Sequence, residues 1–343
     1  MTSRNYDTQP PVSDRAGAAT PTAVIVTGMH RSGTSAVAGE LAQAGLPVGD
    51  NLIEPSKDNA KGFFEDRRIV QIADGLLHRL GSAWSDPAPL PVDYANSVPG
   101  RDAVVELSNH FSETLTGHTR YLLKDPRACR MTPVIAQALK DHGWRARYVA
   151  VVRNPAHVAT SIWNRNQLPR LHALQIWTRH YIDLIERTDP RDITWVDFDA
   201  WSRAPAEESA TLLRALNLVS DGSPAAPFFE QALVHADGPA NVESPQEQLA
   251  LAIYRDFQRG GVMRLADLHQ LYHGLGGDGV ACERRHYGIN MSILNTVVAE
   301  LQAERTQRAS TAPDAMLRRR NLRRMQAQRP KRPLRQLRRR IKR

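Results

Sequence analysis

Short runs of apolar residues alternate along the chain with longer segments in which apolar residues recur at helical spacing. The apolar runs that predict buried strands are 24–27, 121–123, 148–152 and 193–198. The helical spacing, clearest where residues 69, 72, 73, 76, 77 and 80 are apolar, predicts helices over 32–44, 69–80, 103–115, 133–140, 156–166, 170–187, 205–217 and 246–257. Because strands that alternate with helices form parallel sheets, we predict a three-layer α/β fold, with a central parallel sheet and helices on both faces.

Three polar segments directly follow predicted strands. They are GMHRSGTS after 24–27, KDPR after 121–123 and RNPAHVATS after 148–152. Parallel strands place their carboxyl ends along one edge of the sheet, and in such folds ligands bind at that edge. We therefore expect the three segments to lie side by side and to form one site.

Composition divides the chain into a polar leader, a folded body and a basic tail. Residues 1–21 are polar and rich in proline, which predicts a disordered leader. The body, 22–308, is predicted to be one α/β domain, with its core in 23–218 and a helical cap or extension over 219–308. No run of 18 apolar residues occurs, and the leader lacks the apolar centre of a secretory signal. These features predict a cytoplasmic protein.

The net charge of +9 comes from the tail. Fourteen of the 45 Lys and Arg residues lie between Arg318 and Arg343, where there is no Asp or Glu. The preceding 317 residues carry 31 basic and 36 acidic side chains, a net charge of −5. Within 309–343, Leu334, Leu337 and Ile341 recur among arginines, which is typical of a helix at an anionic membrane surface. Two main interpretations of the tail remain. It binds an anionic surface at the inner membrane face, or it is a solvated and disordered segment.

Two classes of partner or site receive no support from the sequence. No aromatic platform or nucleic-acid-binding motif accompanies the basic tail, so a nucleic-acid partner is not favoured. The only cysteines are Cys129 and Cys282, which excludes a disulfide framework and a four-cysteine zinc site. The twelve histidines are scattered without H-E-x-x-H spacing, so we predict no metal requirement.

The segment GMHRSGTS has the spacing of a phosphate-binding loop. Its chemistry-bearing residues are Gly28, Arg31, Ser32, Gly33, Thr34 and Ser35. The glycines permit a tight turn, backbone N–H groups and hydroxyls can donate to a phosphate, and the following helix adds a partial positive charge. Thr34 stands where a nucleotide triphosphatase has its lysine, and the positive charge belongs to Arg31 instead. The alternative is an ordinary strand-to-helix turn that contains glycine.

The segment YVAVVRNPAHVATS supplies a second candidate anion site. Arg153 directly follows the third predicted strand, and Ser161 lies eight residues later in the next helix. Arginine can bind a phosphate through two parallel hydrogen bonds. The alternative is a helix cap, with Asn154 at the N-cap and Pro155 in the first turn, and the two roles are compatible.

Together these motifs resemble the sulfotransferases that use 3′-phosphoadenylyl sulfate (PAPS), over about 23–218. Arg31-Ser32-Gly33-Thr34-Ser35 is similar to their 5′-phosphosulfate loop, and Arg153 with Ser161 is similar to their 3′-phosphate site. The resemblance implies a P-loop fold and PAPS as co-substrate. The late Arg-Lys-Gly segment of cytosolic members has no convincing copy here, and ERRHYG at 283–288 is a weak candidate.

The resemblance also implies catalytic roles. Arg31 would stabilise the leaving phosphate, with Lys124 as a second cation, and Glu65 would accept a proton from the acceptor, with Asp125 as the other candidate. The acceptor is a hydroxyl or amine on a glycan, a lipid-linked molecule or a small molecule, and a homodimer is compatible with an apolar helix face over 288–308. Two other functions stay open. One is a P-loop nucleotide kinase, and the other is a nucleotide-binding module without turnover.

Overall fold

The computed structural model describes residues 20–55, 62–218 and 244–277, all of which belong to one compact unit. The predictions made for the leader, for 219–243, for ERRHYG, for the helix over 288–308 and for the basic tail lie outside these residues.

A four-stranded parallel sheet forms the centre of the described structure. Its strands are β1 (Thr22–Thr27), β2 (Arg120–Lys124), β3 (Arg145–Val152) and β4 (Ile193–Asp197). They lie in the order β2-β1-β3-β4, and each neighbouring pair is parallel. The predicted parallel sheet is confirmed, and its order places the segment after β1 between the segments that follow β2 and β3.

Ten helices surround the sheet in the described residues. They are α1 (Thr34–Gln43), α2 (Arg67–Arg79), α3 (Val98–Thr114), α4 (Ala128–Asp141), α5 (Pro155–Asn166), α6 (Arg170–Arg187), α7 (Phe198–Arg203), α8 (Pro205–Ala215), α9 (Pro245–Gly260) and α10 (Leu265–Gly274).

Alternate residues of β1 pack into two separate cores. Val24 and Val26 face a core that includes residues of α1, α7 and α8. Ala23 and Ile25 face a larger core to which α2–α6, α9 and α10 contribute. Both faces of the sheet are therefore covered, and the predicted three-layer α/β architecture is confirmed.

Helix α4 begins earlier than its sequence predicts. The position of Pro133 favoured a start at that residue, but the helix begins at Ala128 and contains Pro133 in its interior. Tertiary hydrogen bonds anchor the part of the helix that precedes Pro133, since the Tyr94 hydroxyl donates to the Arg130 oxygen and the Tyr148 hydroxyl to the Thr132 oxygen. Packing thus overrides the local preference of proline for the first turn.

Two further elements differ from the prediction. Helix α3 starts at Val98 because Ser97 caps it, accepting a hydrogen bond from the Gly100 N–H, with a proline in the first turn. The predicted strand over 193–198 ends at Asp197, whose carboxylate caps the short helix α7. Helix α10 lies within the predicted helical extension over 219–308, where the sequence pattern indicated no bounds for it. None of the described helices combines the length and apolar character needed to cross a bilayer.

Candidate active site

The loop after β1 is shaped by two glycines at which a side chain would collide with neighbours. At Gly28 a Cβ atom would lie 2.3 Å from the Val151 carbonyl oxygen, and at Gly33 it would lie 2.1 Å from the ring of Phe198. Both glycines also have positive φ, as does Arg31, with φ of 68°. Such alternation of backbone handedness occurs in loops that bind anions through their N–H groups, although in this loop the Met29 N–H donates to the Tyr181 hydroxyl and the Ser32 N–H to the Met29 oxygen.

Helix α1 begins at the end of this loop with its first N–H groups uncapped by a side chain. Gly33 is the N-cap, and it supplies no side-chain hydrogen bond. Ser32 and Thr34 are buried, and the Ser35 hydroxyl donates to the Phe63 carbonyl oxygen at 3.4 Å. The first turn of a helix has N–H groups without intrahelical acceptors and carries partial positive charge. This end of α1 therefore has the properties that an anion site requires.

The loop and the segment after β3 meet directly. Arg31 Nε donates to Ser161 Oγ at 2.9 Å, and Arg153 Nη1 donates to the Arg31 carbonyl oxygen at 3.2 Å. Arg153 and Ser161 are both buried. The structure thus brings the two predicted anion sites together at one edge of the sheet.

The helix-cap interpretation of the segment after β3 is confirmed. The Asn154 side chain accepts a hydrogen bond from the Ala156 N–H at 2.9 Å, and Pro155 is the first residue of α5. This cap fixes the direction in which α5 leaves the sheet. Ser161 consequently lies in the second turn of α5, on the side that faces Arg31.

Sequence reasoning missed two residues that contact this edge from the start of α7, directly after β4. Phe198 contacts the loop at Gly33, and the Arg153 guanidinium carbon lies 5.3 Å from the centre of its ring. The Asp199 carboxylate accepts the Asn154 N–H at 2.8 Å. The sequence signal was present in the stretch WVDFDA at 195–200, where an aromatic and an acid follow the fourth strand, but nothing local indicated their partners.

Lys124 and Glu65 form a buried ion pair on the other side of the loop. Lys124 Nζ lies 2.5 Å from Glu65 Oε1, and Arg127 Nη1 lies 3.7 Å from Glu65 Oε2. Both oxygens of Glu65 therefore face a cation. Lys124 ends β2, so Glu65 is drawn onto the same sheet edge from the segment before α2.

Asp125 has a different environment from that of Glu65. Its Oδ1 atom accepts from the Arg127 N–H at 2.8 Å and from Arg127 Nη1 at 3.1 Å, whereas Oδ2 has no hydrogen-bond partner among the described residues. Burial raises the pKa of this carboxyl group, and the negative charge of Glu65 acts in the same direction, against the opposing effect of Arg127. Arg127 is also held by Asp74, at 2.6 Å from Nε.

His30 is a buried neutral imidazole within the loop. Burial is the main reason that its pKa lies well below the ordinary value, and the nearby charges of Arg127 and Lys124, with those of His180 and Arg165, lower it further. Its ring centre lies 4.5 Å from that of Trp84, at an angle of 52° between the planes. The packing of His30 against Trp84 agrees with a role in shaping the loop.

Arg130 belongs to the core. It is fully buried, forms an ion pair with Asp183 at 3.0 Å, and donates to the carbonyl oxygens of Ala83, Asp86 and Ala88. These contacts hold the 82–88 segment, which carries Trp84, against α4 and α6. In the described residues no group of three or more His, Cys, Asp or Glu side chains is arranged to hold a metal ion.

No protein-family model and no curated protein sequence matches the chain. Among solved structures, it is similar to a sulfotransferase domain of the Synechococcus PCC 7002 olefin synthase, with 16% identity over 75% of this chain and 94% of that one and a TM-score of 0.39. A sulfotransferase domain from the curacin biosynthetic pathway has 12% identity over 75% and 98%, with a TM-score of 0.38. A sulfotransferase from Alicyclobacillus acidocaldarius has 15% identity over 73% and 95%, with a TM-score of 0.36. TM-scores this low do not establish a shared fold.

Proposed function

We propose that the protein is a PAPS-dependent sulfotransferase that modifies a hydroxyl or amine group. The observation that carries the proposal is the junction of two candidate anion-binding segments, in which Arg31 bonds Ser161 and Arg153 bonds the backbone of Arg31. A ligand with a phosphosulfate at one end and a ribose phosphate at the other needs two such positions side by side. The donor set fits this ligand, since arginines and hydroxyls border an uncapped helix N-terminus.

When bound, PAPS would supply a sulfuryl group, which passes to the acceptor oxygen or nitrogen as the bond from sulfur to the bridging oxygen breaks and 3′,5′-ADP leaves. Arg31 would bind the oxygen on which negative charge grows, together with N–H groups of the loop. Lys124, held by Glu65, would be a second fixed cation near the same edge. Arg153 and Ser161 would bind the 3′-phosphate.

The proton released by the acceptor needs a base, and the contacts of the two candidate carboxylates favour Asp125. Glu65 is held by Lys124 and Arg127 at both of its oxygens. Asp125 retains an oxygen without a partner in the described residues, and burial raises its pKa. A carboxylate with a raised pKa is the stronger proton acceptor. Glu65 then acts by positioning Lys124.

Nucleotide selectivity tests the assignment without knowledge of the acceptor. We expect 3′,5′-ADP and PAPS to raise the melting temperature of the full chain in the absence of metal, and 5′-AMP to raise it less. Stabilisation by ATP with Mg²⁺ and not by 3′,5′-ADP would support a nucleotide kinase instead. Binding of PAPS with no release of 3′,5′-ADP, across a panel of glycan, lipid-linked and small hydroxylated acceptors, would favour a binding module.

We further propose that the basic segment Arg318–Arg343 tethers the enzyme to an anionic membrane surface, where a lipid-linked acceptor would be accessible. Basic residues near such a surface contribute about 1 kcal/mol each. Co-sedimentation of the full chain with vesicles that contain phosphatidylglycerol, compared with a chain that ends at Pro313, tests this proposal. Equal sedimentation of the two chains would contradict it.

A further inference from the structure

Helix α9 presents a tyrosine to the edge of the sheet that contains Arg153. The Tyr254 hydroxyl oxygen lies 2.6 Å from Asp199 Oδ2 and 2.5 Å from Asp197 Oδ1. One turn later on the same helix, Gln258 Nε2 donates to Asp197 Oδ2 at 2.8 Å. Residues four positions apart lie on one helix face, so α9 contacts the end of β4 through two polar side chains together.

Asp199 connects this contact to the turn that follows β3. The Oδ2 atom that faces Tyr254 also accepts the Asn154 N–H at 2.8 Å, and Oδ1 lies 3.4 Å from His157 Nδ1. Asn154 is the N-cap of α5 and the residue next to Arg153. A single carboxylate therefore joins α9, the cap of α5 and the candidate 3′-phosphate site.

Asp197, the second acid that Tyr254 contacts, also caps α7. Its Oδ1 atom accepts the N–H groups of Asp199 and Ala200 and so caps α7. Between the two acids, Phe198 contacts Gly33 and lies beneath the Arg153 guanidinium. The segment that contacts α9 is therefore the segment that supports both the phosphate loop and Arg153.

Asp199 is an acid close to the candidate phosphate site, so the groups that bond to it affect how strongly it repels an anionic ligand. Burial alone raises the pKa of this carboxyl group, but hydrogen bonds from His157, Tyr254 and the Asn154 N–H, together with the charge of Arg153, lower it overall. Asp199 is thus ionised near the arginine that would bind a phosphate. Each donor directed at its oxygens disperses negative charge that would otherwise repel the ligand.

We infer that Tyr254 and Asp199 are positioning residues for the 3′-phosphate subsite, and that α9 holds the turn at Arg153 and Asn154 in the orientation that the 3′-phosphate of the nucleotide requires. This inference rests on the proposed function. It extends the nucleotide site to a helix that lies beyond the part of the chain in which the sequence motifs occur. Tyr254 and Asp199 act through Asn154 and Arg153 and need not touch the ligand.

The chain offers a matched control for Tyr254. Tyr272, on the neighbouring helix α10, is also buried, and its hydroxyl donates to the Pro87 carbonyl oxygen at 3.0 Å. Tyr272→Phe therefore removes the hydrogen bonds of a buried tyrosine hydroxyl, to the Pro87 oxygen and to Arg179, neither of which involves the turn at Asn154. Asp199→Asn is a second test variant, which keeps an acceptor for the Asn154 N–H but removes the charge.

The experiment measures the affinities of the full-length variants for 3′,5′-ADP and for 5′-AMP by titration calorimetry. We expect Tyr254→Phe to weaken the binding of 3′,5′-ADP about tenfold, which is the usual effect of losing one hydrogen bond to a charged group. The affinity for 5′-AMP should change less than about twofold, and Tyr272→Phe should change neither affinity. A comparable loss for both nucleotides would indicate a general structural effect and overturn the inference.

Hydrogen exchange of the ligand-free protein separates this inference from the proposed function. Tyr254→Phe should increase amide exchange in a peptide that spans Asn154, and Tyr272→Phe should not. If the unmodified protein fails to bind 3′,5′-ADP, the proposed function fails and the role in nucleotide binding fails with it. If it binds but Tyr254→Phe and Asp199→Asn leave both affinity and exchange unchanged, only the inference fails.

Discussion

Arg31 donates a hydrogen bond from Nε to Ser161 Oγ at 2.9 Å, although 130 positions separate the two residues in the sequence. The contact joins the loop after β1 to the second turn of α5, and thus the two segments that resemble the sulfate and 3′-phosphate sites of PAPS enzymes. It orients the planar guanidinium of Arg31 from one side. An arginine fixed in this way can direct its other N–H groups without losing further conformational freedom when it binds an anion.

The first prediction concerns Arg31 itself. Arg31→Ala should lower turnover at least about a hundredfold, the usual cost of one lost donor to the charge that develops in the reaction. Arg31→Lys should recover only part of the rate, because lysine keeps the charge but lacks the planar fork that can bond Ser161. Turnover with PAPS, measured as release of 3′,5′-ADP, checks both variants. Arg101→Ala, an exposed arginine on α3, is the control, and near-normal rates for Arg31→Ala would exclude the role.

The second prediction distinguishes the two carboxylates by pH dependence. A base must be ionised to accept a proton, so turnover falls as pH drops through its pKa, and burial moves that decline for Asp125 above the ordinary range of a carboxyl group. Asp125→Asn should abolish most of the rate together with the acidic decline. Glu65→Gln should lower the rate but keep the decline. The opposite pattern in the pH–rate profiles would assign the base to Glu65.

The third prediction concerns the contact between Gly33 and Phe198. Gly33→Ala combines backbone strain at a positive φ, of about 1 kcal/mol, with overlap against the Phe198 ring, of roughly 1–3 kcal/mol. Gly45 has a similar φ of 95° and open space around it, so Gly45→Ala should cost only the strain. Urea denaturation measures the free energy of unfolding of both. Equal losses would show that Phe198 does not restrict the loop.

A double mutant separates the steric part of this effect. Replacing Phe198 with alanine removes every side-chain atom that a Cβ at Gly33 would overlap. The loss of unfolding free energy for Gly33→Ala should therefore be smaller in a Phe198→Ala background than in the unmodified protein, with a coupling of about 1 kcal/mol. Strictly additive losses of unfolding free energy would contradict an overlap between the Phe198 side chain and a Cβ atom at Gly33.

The fourth prediction concerns acid stability. Burial lowers the pKa of His180 to about 3, and the charge of Arg130 acts in the same direction. The unfolded state therefore binds a proton below about pH 6.5, while the folded state does not until about pH 3. This contribution to stability is complete above pH 6.5 and falls by up to about 1.4 kcal/mol for each pH unit between these values. Burial also lowers the pKa of His30.

The measurement compares the pH dependence of the unfolding free energy in two variants. His180→Gln should flatten the decline between about pH 6 and pH 4, because glutamine binds no proton in either state. His78→Gln, at an exposed position of α2, should leave the decline unchanged. A decline that is as steep in His180→Gln as in the unmodified protein would contradict a neutral buried His180.

The local pattern of the sequence was sufficient for most elements near the site. The apolar run before Gly28, the spacing of the apolar residues in α2 and the N-cap of Asn154 each depend on neighbours within a few residues, and each occurs as expected. The arrangement of the three polar segments at one edge also followed from sequence, because parallel strands align their carboxyl ends whatever their order.

Tertiary structure decided which partner each polar residue has. Nothing in the sequence around Lys124 indicates that it pairs with Glu65, 59 positions away, or that Arg130 lies in the core while Arg127 lies beside the candidate base. The same holds for the start of α4, where distant tyrosines bond its carbonyl groups.

The sequence by itself determined the periodicity of the elements, the common sheet edge at which the polar segments lie and the residue types available for binding an anion, because these depend on backbone geometry and short-range contacts. Only the folded chain determined the contacts of Phe198, Asp199 and Tyr254 at the candidate site. Phe198 contacts Gly33, more than 160 positions earlier, while Asp199 bonds Asn154 across 45 positions and Tyr254 bonds Asp199 across 55. Such contacts form when the sheet and its helices pack together, and their energy comes from burial and charge in that shared environment rather than from any local preference.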